Sequence, residues 1–213
     1  MNTEAWWSIV SEYNDAVFPL HILAAALGLV LVYMIYCSPG KKTDLIMKGY
    51  LSVICAWNGI VFFLIYGRNL PGTVLGAPLF VGAAILFLWD IKAGKTHFQF
   101  ADIKWRKYVS LILIVCAFLY PGIGYFLGHV YPEACTFGVM PCPTTVFVLA
   151  LLVASSPRID KKVYIVLLVW ALPAVGKCFG ALDLYEDCIL FWSGVYAAVI
   201  LIKDWKLREG AHE

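Results

Sequence analysis

The strongest constraint on this chain is its first apolar run, Val17–Tyr36, twenty residues without one Asp, Glu, Lys or Arg. A helix over that run rises about 30 Å, the thickness of the hydrocarbon core of a bilayer. Comparable runs follow at Leu45–Tyr66, Thr73–Ile91, Tyr108–His129, Thr144–Ser156, Val163–Leu182 and Tyr185–Ile202. Of the 213 residues 62% are hydrophobic and only 14% charged, against roughly 25% charged in soluble domains. The runs are continuous rather than alternating, which argues against a β-barrel. The expectation is an all-α membrane protein, a single seven-transmembrane helix bundle over residues 1–213, multi-pass in the cell membrane, with the lipid bilayer as its main partner. Residues 1–15 carry acids and no basic stretch, so no cleavable signal peptide is expected. Trp6, Trp7, Ile9, Val10 and Tyr13 suit a short helix in the headgroup zone.

The charges orient the bundle. Of the 16 basic residues, 14 fall in the loops after the first, third and fifth spans, at the start of the second, or after the seventh. The other side holds only Arg68 and Lys177, with Glu4, Glu12, Asp15, Glu133, Asp183, Glu186 and Asp187. Cytoplasmic loops are the ones rich in Lys and Arg, so the N-terminus is expected outside and the C-terminus in the cytoplasm. The basic residues read as topological markers, and no nucleic-acid partner is implied.

One span is too short. Thr144–Ser156 reaches roughly 20 Å where about 30 Å is needed. The stretch ahead of it, Tyr120–Thr145, is dense in Pro and Gly. Either the helix continues through Pro141 and Pro143 as a kinked piece, or residues 134–142 enter the bundle as irregular backbone. Irregular backbone at depth is tolerated only where protein or a water-filled cavity satisfies its polar groups. Pro143 suits a first helical turn, and a helix start inside the membrane attracts negative charge. Broken helices of this kind form sites in transporters.

Polar groups gather at a similar depth in the outer half: His21, Asn58, His129, Glu133, Cys142, Thr144 and Glu186. These are the expected lining of an outward-facing pocket, because ionisable groups inside spans mark function by default. Each also has a plainer reading as a satisfied interhelical contact. Lys177 can reach the surface or pair with Asp183, Glu186 or Glu133. Among the seven cysteines, an oxidising exterior permits Cys135–Cys142 or Cys178–Cys188, and spacing does not choose between them. His129 and Cys142 are candidate metal ligands, but their spacing matches no standard site. No GxSxG, HExxH, P-loop or dinucleotide fingerprint is present, so no catalytic residue and no cofactor is identified.

The chain resembles a family of uncharacterised bacterial multi-pass membrane proteins, a domain of unknown function. The resemblance rests on Tyr13-Asn14-Asp15-Ala16, Trp57-Asn58-Gly59-Ile60-Val61, Leu127-Gly128-His129 with Tyr131-Pro132, Thr136-Phe137-Gly138, Pro141-Cys142-Pro143-Thr144-Thr145, Trp170-Ala171-Leu172 and Glu186-Asp187. It implies a shared seven-span fold and no activity. Cys135 and Lys177 lie outside its pattern. The leading functional expectation is binding or transport of a small solute or ion through the outward pocket. A membrane thiol-redox or metal-handling protein using Cys142 is one alternative, and an assembly subunit of a membrane complex is another.

Overall fold

The computed structural model describes residues 3–70, 72–178 and 184–209. Pro71 of the Leu70–Gly72 turn, residues 179–182 of the expected sixth span, Asp183 and the tail beyond 209 lie outside the described residues.

The elements in order are α1 (Thr3–Val17), α2 (Leu20–Cys37), α3 (Lys41–Trp57) continuing as a π-helix (Asn58–Tyr66), α4 (Thr73–Ala93), α5 (Lys104–Phe118), α6 (Tyr120–Phe126), α7 (Pro141–Ser155), α8 (Lys161–Ala171), a 3-10 turn (Leu172–Ala174), α9 (Val175–Cys178) and α10 (Asp187–Glu209). No strand occurs among the described residues. Among the described residues, four helical stretches are long and apolar enough to cross a membrane: Leu20–Cys37, Lys41–Tyr66, Thr73–Ala93 and Asp187–Trp205. The pair α5–α6, bent by 67°, makes a fifth if it counts as one span. Seven uninterrupted spans are therefore not what the chain forms. Leu119 and Pro121 break the fourth run, Pro141 and Pro157 bracket the fifth, and Pro173 interrupts the sixth with the 3-10 turn. Each proline removes a backbone donor and crowds the preceding turn.

The short helix sits at the centre. Every residue of α7 is buried, enclosed by α3, α5, α8 and α10. A helix that is apolar all round is stable only in such a position. The outer helices instead expose large apolar side chains, among them Leu23, Leu27 and Tyr33 of α2, Ile85 of α4 and Ile112 of α5. An apolar surface of this extent calls for a non-aqueous cover.

α1 is the expected short helix, but its packing against the bundle had no sequence signal. Trp6, Trp7, Val10, Tyr13, Asn14 and Val17 form one helical stripe, and all are buried against the bundle. The π-helix also went unforeseen, since nothing in Asn58–Tyr66 distinguishes it from an ordinary apolar helix. Its wider turn is anchored by Asn58 Nδ2 donating to the Ile54 carbonyl at 2.7 Å and closed by Gly67 N donating to the Phe62 carbonyl at 2.7 Å. Gly59 lets it approach α4, because a Cβ there would lie 2.9 Å from the Val81 nitrogen.

Two ends of the bundle differ in charge. At the basic end, Lys48 pairs with Asp90 at 3.1 Å, Arg106 with Asp204 at 2.6 Å, His97 with Asp44 at 2.9 Å and Lys95 with Asp160 at 3.3 Å. The acidic end holds the broken segment and the residues considered next.

Candidate functional site

Between α6 and α7 the backbone is irregular, and from Ala134 to Met140 it is buried. Buried backbone must be satisfied, and α1 and the π-helix do much of this. Asn14 Nδ2 donates to the carbonyls of Pro132 at 2.6 Å and Ala134 at 2.8 Å, while its Oδ1 accepts from the Thr136 hydroxyl at 3.0 Å. Tyr13 donates to the Val139 carbonyl at 2.6 Å and accepts from Trp57 Nε1 at 2.8 Å. Asn58 Nδ2 donates to the Gly138 carbonyl at 3.1 Å. Gly138 itself has φ +81°, a backbone region that favours glycine. The segment is thus the buried irregular stretch, rather than a kinked continuation of α7, which begins at Pro141.

This segment delivers Cys142 to an ionisable cluster. Cys142 Sγ donates to Asp187 Oδ2 at 3.3 Å, and Tyr120, at the α5–α6 bend, donates to Asp187 Oδ1 at 2.6 Å. Lys177 Nζ lies 3.6 Å from Asp187 Oδ2 and 3.9 Å from Cys142 Sγ. It also sits 4.7 Å from the centre of the Trp170 ring, a cation–π distance. The partner of Lys177 is therefore Asp187, not Glu186 or Glu133. The cause is covalent: a disulfide joins Cys178 to Cys188, and Lys177 and Asp187 immediately precede those two cysteines. Cys135 and Cys142 remain free thiols. Asp187 opens α10, where the helix dipole favours a carboxylate.

Beside this cluster lies a second pair. His129 Nδ1 is 3.1 Å from Glu186 Oε1, and the His129 ring stacks on Trp7 at 4.1 Å. Glu186 is 1% exposed, yet among the described residues its Oε2 has no hydrogen-bond partner. Trp7, with Glu4, Ser8, Ser11, Glu12 and Glu133, also lines a groove of about 560 Å³. His129 thus links Trp7 of this acidic groove to the buried, half-satisfied Glu186.

The expected site residues divide three ways. His129 meets Glu186 in one pair, Cys142 meets Asp187 in the cluster beside it, and Glu133 lines the adjoining groove. Thr144 and Asn58 serve the backbone: the Thr144 hydroxyl donates to the Met140 carbonyl at 2.6 Å, and Asn58 holds Gly138. His21 stands apart against Phe18 and Tyr131. Tyr120, Lys177, Asp187, Trp7, Trp170 and Trp6, whose ring centre lies 6.0 Å from Lys177 Nζ, complete the site although the expected lining omits them. Lys177 and Asp187 were visible as charges near a span end; Tyr120 had no signal. As for a metal, His129 and Cys142 belong to separate pairs, and no three described His, Cys, Asp or Glu side chains converge as ligands.

A family of unknown function (DUF6064) matches residues 3–212. The chain belongs to that family. No curated protein matches it, and no solved structure does. In this DUF6064 chain, the blocks Tyr13-Asn14, Trp57-Asn58, Tyr131-Pro132 and Thr136-Phe137-Gly138 meet around one feature, the buried irregular segment. The blocks at Cys142, His129 and Glu186-Asp187 meet at the cluster beside it.

Proposed function

We propose that this is a multi-pass membrane protein that binds a small organic cation from the outer side, as a binding protein or as the first step of transport. The observation that carries this reading is the acidic groove of about 560 Å³ lined by Glu4, Glu12, Glu133 and Trp7, whose ring contacts His129, the partner of the half-satisfied Glu186. Three carboxylates attract a cation, and an indole face receives one. Buried ionisable groups at the end of a bundle are costly and are kept where they serve a ligand.

In this reading the chain crosses the bilayer seven times with its N-terminus outside. The bent α5–α6 pair supplies the fourth crossing. Residues 134–140 lengthen the fifth, which α7 alone is too short to make. The helical run Lys161–Cys178 supports the sixth, and 14 of the 16 basic residues fall toward one end. The site then faces away from the cytoplasm.

Titration calorimetry on the purified chain with choline and with guanidinium tests the site. Binding of at least one of them is expected, about tenfold weaker in Glu12→Gln/Glu133→Gln. Equal affinity in that variant, or no heat with either cation, sinks the assignment. Uptake of the bound cation into reconstituted vesicles separates a transporter from a binding protein.

A further inference from the structure

We infer that the basic end carries a second, separate site: a preformed cavity for a phosphate group. A cavity of about 470 Å³ lies between the α4–α5 connection and the turn before α8, lined by Gly94, Lys95, His97 and residues 157–162. Four of its side chains, Lys95, Arg158, Lys161 and Lys162, are cationic, and the one carboxylate is that of Asp160. The formal surplus is three positive charges. Asp160 Oδ2 pairs with Lys95 at 3.3 Å and its Oδ1 accepts from the Lys162 amide at 2.9 Å, so it offsets Lys95 and leaves the charges of Arg158, Lys161 and Lys162 for an incoming anion.

The walls are rigid by construction. His97 N donates to the Arg158 carbonyl at 2.9 Å, and Asp160 N donates to the Thr96 hydroxyl at 3.0 Å. These bonds tie the two loops into one frame. Asp44 orients the His97 ring through Nδ1 at 2.9 Å, and Trp205 holds Lys161 with Nζ 3.7 Å from its ring centre. Arg158 and Lys162 are exposed and no such partner is described for their charges. A general excess of Lys and Arg at this end explains scattered surface charge. It does not explain four cations gathered round one framed cavity beside a single, fully engaged acid. A phosphate oxyanion, with several acceptor oxygens for Arg and Lys, matches that arrangement. Two sources share this chemistry, an anionic lipid headgroup and free phosphate.

The experiment uses the full chain in detergent. Native mass spectrometry reads retention of phosphatidylglycerol against phosphatidylcholine of the same acyl chains, and calorimetry reads inorganic phosphate. One phosphatidylglycerol retained per chain, weakened roughly 25-fold by Arg158→Gln/Lys162→Gln at about fivefold per charge, is the expected result. Lys41→Gln/Lys42→Gln, which removes two exposed charges outside the cavity, leaves it unchanged. Phosphate binding with the same variant pattern but no lipid preference supports the cavity with the free anion as its ligand. No binding in either arm, undiminished binding in Arg158→Gln/Lys162→Gln, or equal loss in the control pair overturns the inference. If circular dichroism shows the double variant misfolded, Lys162→Gln alone decides, with a fivefold loss expected.

Discussion

The two ends of this bundle handle buried acids in opposite ways. At the basic end, Asp44, Asp90, Asp160 and Asp204 each have both carboxylate oxygens engaged. Asp90, for example, accepts from Lys48, from the Lys95 amide and from the Thr96 amide, and Asp204 takes Arg106 on both oxygens with Ser156 added. At the acidic end, Asp187 is equally well served, but Glu186 is satisfied on one oxygen only. A fully paired acid works as a clamp, and breaking it leaves a stranded charge. A half-paired acid has capacity left for something that arrives.

The comparison makes graded predictions. Lys48→Met leaves Asp90 buried without its cation and should cost about 3–5 kcal/mol, read as a large drop in the thermal midpoint in detergent. Lys48→Met/Asp90→Leu should recover much of that loss; no recovery would mean the pair acts through more than its charges. Next comes Asn14→Ala, which strands the buried Ala134 carbonyl, the half-buried Pro132 carbonyl and the Thr136 hydroxyl and should cost about 2–3 kcal/mol. Proteolysis between residues 131 and 139 should accelerate with it, and an unchanged cleavage rate would show the segment needs no such tether. Thr144→Val removes a bond to the Met140 carbonyl, at the end of the irregular segment, which the Thr144 amide also reaches, so about 1 kcal/mol or less is expected, with cation binding intact. Glu186→Gln should have the smallest effect on stability, within about 1 kcal/mol, because one oxygen has no donor to lose. It should nevertheless weaken choline binding in calorimetry. A stability loss as large as that of Lys48→Met would erase the distinction between the two ends.

How far the site was legible follows from what each signal depends on. Apolar runs and proline positions are local, and they led to the helices, the break near Pro121 and the short α7. They misled on continuity, because a run of apolar residues does not reveal that Pro173 turns the chain through a 3-10 turn. Charges near span ends led to His129, Glu133 and Glu186 but did not single out Asp187 as a partner of Lys177, since that pairing depends on the Cys178–Cys188 bridge. Tyr120 could not be found at all. Its role arises at the 67° bend between α5 and α6, where its hydroxyl meets Asp187 of α10.

By itself the sequence determined an all-helical, bilayer-suited chain with one helix too short to stand alone, because hydrophobicity and helix rise are properties of contiguous residues. Only the tertiary structure decided that this short helix is the buried axis of the bundle. It also decided that the Tyr13-Asn14 pair props up backbone more than a hundred residues away, and that one carboxylate beside Trp7 is left half-satisfied. Those outcomes depend on which buried donors reach which acceptors, and the chain settles that only when its helices pack.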